Sequence, residues 1–161
     1  MAAKEGIRSG REGEEEEHVY RISTDKEWEE LQRNGSCFGG QLDKSSGFIH
    51  LSKLDQVMST LQNFFLNTKV DLYLLQIDAK KKWGVLEVQT SGHSKGIRIE
   101  WPAILCFQLG DGLIYEVVDG TNSFPHFYGP SRSFSPLPLD VVIKAEKLVL
   151  ADGQFSCSLL N

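Results

Sequence analysis

Two short histidine motifs contain the residues of this sequence that are best suited to chemistry. The first, Phe-Ile-His-Leu-Ser, covers residues 48–52, and the second, Phe-Pro-His-Phe-Tyr, covers residues 124–128. An imidazole exchanges protons near neutral pH, so His50 and His126 are candidates for acid–base catalysis or ligand binding. His50 also precedes a predicted helix, whose N-terminal N–H groups attract anions such as phosphate. The alternative is that His50 only hydrogen-bonds a neighbouring carbonyl group.

Ser52 stands where that helix should begin. Serine is a preferred N-cap residue, and Asp55 follows three positions later, so we expect Ser52 to act as a cap and not as a nucleophile. The helix itself is predicted by apolar residues that recur at helical spacing and must face the core. These residues are Leu54, Val57, Met58, Leu61, Phe64 and Phe65.

The second motif continues through Gly129 and Pro130 and so combines three aromatic rings, a histidine and two prolines. Proline cannot continue a helix or a central strand, which predicts a rigid aromatic loop. Such a loop builds a pocket in which His126 and Tyr128 are the polar groups. In the alternative interpretation, the loop only fills one end of the sheet with Phe124 and Phe127.

Two charged residues lie inside apolar segments that are predicted to be strands. Glu116 lies within residues 113–118, Leu-Ile-Tyr-Glu-Val-Val, and Arg21 lies within the segment Val19–Ile22. A buried, unpaired charge costs several kcal/mol, so each side chain needs a partner or an altered pKa. Each is therefore either outward and solvated, as strand alternation allows, or part of a site.

The remaining elements form an α+β pattern that positions these residues. Thr24 and Glu27 predict a capping box at the start of a first helix, which Asn34-Gly35 ends. The glycine-rich stretch that follows, up to Gly47, is predicted to be a loop. Further strands are predicted at Val70–Ile77 and in the region 141–150. Asp152-Gly153 is typical of a hairpin turn.

Length and composition favour one folded domain. The chain has 161 residues, and the polar, glutamate-rich segment 1–18 is predicted to be a disordered tail before a single domain at 19–161. The net charge of -5 argues against general nucleic-acid binding, which depends on many basic contacts. Three cysteines without a Cys-x-x-Cys pair indicate neither a disulfide framework nor a zinc site, and we expect free, buried thiols.

The sequence also predicts the localisation of the protein and argues against two further kinds of site. We expect a cytoplasmic protein without a membrane span, because no apolar run approaches the ~20 residues needed to cross a bilayer. Gly92–Gly96 matches the serine-hydrolase nucleophile elbow by letters, but the segment Ile97–Pro102 that follows reads as extended and not as the required helix. No metal site is predicted.

Several motifs together resemble the family called domain of unknown function 952, in particular its plant-type members, from Val19 to Leu150. They are Tyr20–Ser23, Trp28-Glu29, Gly47–Ser52, Gln56-Val57, Phe124–Gly129 and Pro136–Asp140. The resemblance implies an α+β fold similar to ADP-ribosyltransferases, with two small antiparallel sheets and two N-terminal helices. It also implies a nucleotide such as NAD as ligand or substrate and requires no other cofactor.

The same resemblance implies roles for individual residues. Glu116 and His50 would be catalytic, with Glu116 supporting the cationic ribose that forms as nicotinamide leaves. The implied ligand-binding residues are Arg21, Ser52, His126 and Tyr128. The expected activity is transfer or hydrolysis of an ADP-ribosyl group. The alternatives are a nucleotide-binding module without turnover and a protein-interaction domain; the oligomeric state stays open.

One segment departs from the family pattern. In the family, the strand ending at Ile77-Asp78 continues within a few residues to the equivalent of Gly112–Glu116, whereas residues 82–108 intervene here. This segment contains Trp83, Trp101 and other apolar residues, too many for an ordinary surface loop. We interpret 82–108 as an insertion relative to the family, derived from an alternative or retained transcript segment.

Overall fold

A computed structural model describes residues 17–83 and 107–161 of the chain. The helices are α1 (Asp25–Asn34), α2 (Gln41–Ser46) and α3 (Leu54–Phe64). The strands are β1 (His18–Thr24), β2 (Ser36–Cys37), β3 (Ile49–His50), β4 (Leu72–Asp78), β5 (Lys82–Trp83), β6 (Phe107–Gln108), β7 (Leu113–Asp119), β8 (Asn122–Phe127), β9 (Leu137–Pro138), β10 (Val142–Lys147), β11 (Val149–Ala151) and β12 (Gln154–Ser156). Short 3-10 helices occupy Leu109–Gly112, Pro130–Arg132, Leu139–Val141 and Ser158–Leu160.

The first sheet has the order β1-β4-β10, and both of its pairings are antiparallel. Its central strand β4 reads Leu-Tyr-Leu-Leu-Gln-Ile-Asp, and Leu74, Leu75 and Ile77 are fully buried. Helix α3 packs against this sheet through Val57 and Leu61, which lie in one apolar cluster with Leu74. The sheet is therefore covered by the helix that the apolar spacing predicted, but the prediction that Leu54 and Phe64 face the core is wrong, because both side chains are exposed.

The second sheet has the order β3-β8-β7 and is also antiparallel. It joins the first sheet through an isolated bridge between Tyr20 and Ser52. One apolar cluster contains buried residues from both sheets, including Val19, Ile49 and Phe127. Because the two sheets share this core, the short strand β3 is held in a fixed position beside β1.

Three two-stranded pairings complete the described structure: β2 with β9, β5 with β6, and β11 with β12. The β11–β12 hairpin turns at Asp152 and Gly153, whose φ values of 51° and 74° fit the left-handed conformation of such turns. This confirms the predicted hairpin. The α+β class with small antiparallel sheets and few helices is confirmed as well.

The two predicted helices are present at α1 and α3, but a third, α2, lies where a loop was predicted. Helix α1 begins as expected, since Thr24 Oγ1 accepts a hydrogen bond from Glu27 N at 3.2 Å. Gly35 ends it with φ of 76°. The Glu27 carboxylate, however, accepts from Arg21. A longer-range ion pair thus draws away the side chain that would have completed the capping box.

Two local predictions at the motifs are wrong. Ser52 does not cap α3, because the N-cap residue of this helix is Lys53. The Gln56 side chain accepts a hydrogen bond from Lys53 N through Oε1 at 3.0 Å. Pro125 lies in β8, the central strand of its sheet, and not in a loop. The Pro125 carbonyl still accepts from Leu51 N at 3.1 Å. Strand β3 ends at His50, so the missing N–H of Pro125 falls beyond its last paired residue and costs little.

Several predictions concern residues that are only partly covered by the described ranges. Most of the predicted tail, residues 1–16, and the Gly92–Gly96 motif lie outside them. Within them, Cys37 is a buried free thiol and Cys157 a half-buried one. No helix in residues 17–83 or 107–161 is long and apolar enough to cross a membrane.

Candidate functional site

The pairing of β3 with β8 brings the two motif histidines together. His50 and His126 are direct partners in this pairing, so their side chains project from the same face of the sheet. Their ring centroids lie 5.6 Å apart, and the rings meet edge to face. The structure thus places both sequence-predicted histidines in one site, although 76 positions separate them (126 − 50).

Phe48 forms an aromatic surface between the two rings. Its ring stacks on His126 with centroids 3.9 Å apart and an interplanar angle of 18°. It also lies 4.6 Å from the His50 ring and 5.2 Å from the Tyr128 ring. Tyr128 follows directly after β8, where its N–H donates to the carbonyl of Gly112 at 2.8 Å. A side chain at Gly112 would collide with the carbonyl of Tyr128, so this close approach requires glycine.

His50 is held by a buried carboxylate from helix α2. Asp43 Oδ1 lies 2.8 Å from His50 Nδ1 and accepts the His50 backbone N–H at 2.8 Å. Asp43 is 2% exposed. Burial acts to raise its pKa, but the hydrogen bonds from His50 and the charge of Arg21 outweigh burial and lower the pKa well below its ordinary value. Asp43 is therefore an anion at neutral pH.

Arg21 completes this first network from strand β1. Its guanidinium donates to both carboxylate oxygens of Asp43, at 3.0 and 2.7 Å, and to Glu27 Oε2 at 2.8 Å. It also donates to the carbonyl of His50 at 2.9 Å. Burial acts to lower the pKa of Arg21, yet the two carboxylates raise it overall. Because these donors point inward and the residue is 8% exposed, its geometry fits positioning of His50 better than direct ligand binding.

His126 belongs to a second network around Glu116. Glu116 Oε1 lies 3.0 Å from His126 Nδ1 and accepts from the Tyr128 hydroxyl at 2.5 Å. Arg132 donates to the second carboxylate oxygen at 2.9 Å. The hydrogen bond from Tyr128, then that from His126, lowers the pKa of Glu116. Unlike Asp43, the Glu116 side chain is 30% exposed.

These partners fix the tautomer of both rings. An ionised carboxylate accepts hydrogen bonds only, so the Nδ1 atoms of His50 and His126 each carry a proton. The Nε2 atom is then the nitrogen of each ring that is left to act on a ligand. Burial lowers the pKa of His126, which keeps that ring neutral at pH 7 and its Nε2 able to accept a proton.

Burial and the bond to Glu116 raise the pKa of Tyr128, so Tyr128 stays a hydroxyl donor. Ser52, which the resemblance placed among the ligand-binding residues, is 5% exposed. The backbone N–H and carbonyl of Ser52 pair with Tyr20. Its backbone therefore serves the junction of the two sheets.

Asp43, Glu27 and Arg132 belong to the two networks but were not predicted as site residues. Asp43 lay in a predicted glycine-rich loop and Glu27 in a predicted capping box, so no local pattern indicated that Asp43 contacts His50 or that Glu27 contacts Arg21. For Arg132 a signal existed, since it closely follows the second motif. Among residues 17–83 and 107–161, no cluster of three His, Cys, Asp or Glu side chains could hold a metal ion.

Comparison with known proteins supports the family resemblance. Residues 22–101 match the family described as "Protein of unknown function (DUF952)". The crystal structure of protein CC0527 from Caulobacter crescentus is similar at a TM-score of 0.60 and 26% identity, covering 86% of this chain and 93% of that one. Its solution structure gives a TM-score of 0.57 at 23% identity, covering 87% and 91%. No curated protein matches the chain.

Proposed function

We propose that this protein, whose fold is similar to that of CC0527, acts on NAD or a related nucleotide. In this proposal the ligand lies over Phe48, His50 and His126. Glu116 then supports transfer or hydrolysis of the ADP-ribosyl group. This would make the protein similar to ADP-ribosyltransferases in chemistry.

The observation that carries the proposal is the state of Glu116. Its carboxylate is partly exposed, has a lowered pKa and lies beside the His126 ring, which stacks on Phe48. Cleavage of a ribosyl bond generates positive charge on the sugar, and a preorganised carboxylate stabilises such charge. The sheet fixes the carboxylate, because Glu116 and Phe124 are partners in the β7–β8 pairing.

The reaction follows from the roles of these groups. The bond between the ribose C1 and the nicotinamide nitrogen breaks, and its electron pair leaves with nicotinamide, whose ring charge is thereby neutralised. Water or an acceptor hydroxyl then forms a new C–O bond at C1. Its proton passes to Nε2 of His126, which is neutral and unprotonated at that atom.

The aromatic surface supports binding of the planar part of the ligand. Phe48 is half-buried and already stacks on His126. A nucleobase or nicotinamide ring that stacks on such a surface gains roughly 1–3 kcal/mol. His50 Nε2 is then available to a ribose hydroxyl, since Asp43 holds the other ring nitrogen. The His50 side chain is 32% exposed, which leaves it accessible.

One observation favours a second candidate, a module that binds the same nucleotide without turnover. Glu116 already has three hydrogen-bond partners, Tyr128, His126 and Arg132. These partners share its negative charge, so less of that charge is free to stabilise a ribosyl cation. In this alternative, the same residues recognise ribose or phosphate and no bond is cleaved.

Nicotinamide release distinguishes the two candidates. We expect wild-type protein to release nicotinamide from NAD and Glu116→Gln to lose about 100-fold or more of this rate, as for loss of a transition-state charge interaction. Glu29→Gln is the matched control, because Glu29 is an exposed carboxylate on α1. Thermal shift with NAD, ADP-ribose and a 2'-phosphorylated RNA oligonucleotide measures binding separately.

The outcomes divide cleanly. If NAD stabilises the protein but no nicotinamide is released, either with an acceptor or in water alone, the protein is a binding module without turnover. Equal release by wild type and Glu116→Gln contradicts the catalytic role of Glu116. Absence of any shift with all three ligands at millimolar concentration rejects both nucleotide proposals.

A further inference from the structure

Arg132 occupies the open edge of the second network. Its side chain is 57% exposed, whereas that of Arg21 in the first network is 9% exposed. It donates to Glu116 Oε2 at 2.9 Å and to the Tyr128 hydroxyl at 3.3 Å. Its guanidinium carbon lies 4.7 Å from the centroid of the Tyr128 ring. The charged end is therefore placed over the site while it stays in contact with solvent.

The backbone beneath Arg132 is held in a specific conformation. Ser131 and Arg132 have φ values of 57° and 61°, a left-handed geometry that non-glycine residues rarely adopt. The turn is closed by a hydrogen bond from Gly129 N to Ser133 O at 2.7 Å. Ser133 also donates through its hydroxyl to the carbonyl of Pro130 at 2.7 Å. The base of the arginine is thus fixed, and its long side chain is the part that can reorient.

Of the two arginines in these networks, Arg132 is the one whose positive charge is accessible to a ligand from solvent. The first network contains Asp43, Glu27 and Arg21, and its arginine is surrounded by its own partners. The second contains Glu116 and Arg132. An anionic ligand that approaches the histidines would meet the negative charge of Glu116 unless a cation intervenes. Arg132 is the residue in these networks that can supply it from the solvent side.

We infer that Arg132 binds a phosphate group of the ligand and that it leaves Glu116 to do so. This inference rests on the proposed function and names the residue that recognises the anionic part of the nucleotide. A planar guanidinium pairs with phosphate through two parallel hydrogen bonds. Its present ion pair with Glu116 is solvent-exposed and weak, so phosphate can compete for it.

The exchange also links binding to chemistry. While Arg132 contacts Glu116, it neutralises part of the carboxylate charge. When the guanidinium moves to phosphate, Glu116 keeps Tyr128 and His126 but regains charge that can act on the ribosyl centre. A ligand that lacks phosphate would leave the carboxylate covered. Arg132 would therefore select phosphate-bearing ligands in binding and in turnover.

Calorimetric titration of ADP, adenosine and inorganic pyrophosphate tests the inference. We expect Arg132→Gln to weaken ADP binding by about tenfold or more and to leave adenosine binding unchanged, because the lost hydrogen bonds are to a charged group. Arg132→Lys keeps the positive charge but loses the planar guanidinium with its two parallel hydrogen bonds. Its affinity for ADP should therefore lie between those of wild type and Arg132→Gln. Arg33→Gln is the matched control, since Arg33 is an exposed arginine in the last turn of α1.

The results also separate this inference from the proposed function. If wild type and Arg132→Gln bind ADP equally, or if the variant loses ADP and adenosine alike, the inference is overturned while nucleotide binding stands. If no nucleotide binds but pyrophosphate binds wild type and not Arg132→Gln, the phosphate site stands and the proposed function falls. Absence of binding by ADP and pyrophosphate together overturns both.

Discussion

The first and second networks of the site contain the same kind of hydrogen bond but differ in how far it is exposed to solvent. In each, a carboxylate contacts the Nδ1 atom of a histidine, Asp43 with His50 and Glu116 with His126. Asp43 is closed off by Arg21 and by a hydrogen bond from Gly40 N at 2.7 Å. Glu116 opens to solvent. The same pairing can thus serve stability in one place and ligand chemistry in the other.

Burial decides which role a charge takes. A carboxylate without water needs a full set of partners, and removal of one partner leaves a buried charge that nothing compensates. A partly exposed carboxylate tolerates the loss of a partner because water replaces it. We therefore expect loss of a buried charge of the Asp43 network to change the free energy of unfolding, and variants of the Glu116 network or of either histidine ring to change binding or rate.

The largest expected effect is on stability, from Asp43→Ala. This change leaves the Arg21 cation buried with Glu27 as its remaining carboxylate, and we expect a loss of about 3–5 kcal/mol in the free energy of unfolding. Urea denaturation followed by tryptophan fluorescence measures it. Asp140→Ala is the control, because Asp140 is exposed and should change stability by less than about 0.5 kcal/mol.

A double variant sharpens this test. Replacement of Arg21 by Met together with Asp43 by Leu removes both buried charges, so it should cost less than the sum of the two single changes. If Asp43→Ala is as stable as wild type, or the double variant is simply additive, the first network has no structural role and the comparison fails.

The next effect concerns binding, from His50→Ala and His126→Ala. Both variants should stay folded, since Asp43 keeps Arg21 and Glu116 keeps Tyr128 and Arg132 as partners. Both should weaken NAD binding by about tenfold or more, the loss of one or two hydrogen bonds to the ligand. Calorimetry gives the affinity, and circular dichroism checks the fold. Unfolding of both variants would mean that the histidines are structural.

The smallest effect is the pH dependence of stability. The pKa of His126 is below its ordinary value of 6.5, so the unfolded chain takes up this proton first and stability falls as pH drops below about 6.5. The slope for one proton is at most about 1.4 kcal/mol per pH unit. Asp43 has a pKa below its ordinary 3.8, so its contribution is lost only at still lower pH.

Denaturation midpoints between pH 5 and 7.5 measure the first phase. His126→Gln should remove part of the slope in this range, because the titrating ring is gone. An unchanged slope in the variant would show that His126 does not supply it. The Asp43 phase, below pH 4, should remain in His126→Gln, since Asp43 keeps its own partners Arg21 and His50.

The sequence predicted the elements better than it predicted the contacts between them. The spacing of apolar residues fixed α3, and the caps at Thr24 and Gly35 bounded α1, because these signals are local. The pairing of His50 with His126 depends on the register of β3 with β8, which no local pattern encodes. The motifs nevertheless named both histidines as site candidates.

The errors have a common physical origin. Pro125 was assigned to a loop because proline lacks an N–H, but strand β3 has only two residues, which pair with His126 and Phe127, so Pro125 lies just outside this ladder. The ligand-binding role of Arg21 was implied by the family resemblance and stays a prediction, but its carboxylate partners were not predicted. Its two carboxylate partners come from α1 and α2, and only the folded chain brings them together.

The pairing of β5 with β6 has a consequence for chain length. Trp83 and Phe107 are partners in a two-residue antiparallel ladder, so these two positions of the chain lie next to each other. For a flexible connection between two such positions, each doubling of its length changes the free energy of loop closure by only about 0.6 kcal/mol. The histidine site can thus keep its geometry while the length of the chain between these two residues changes.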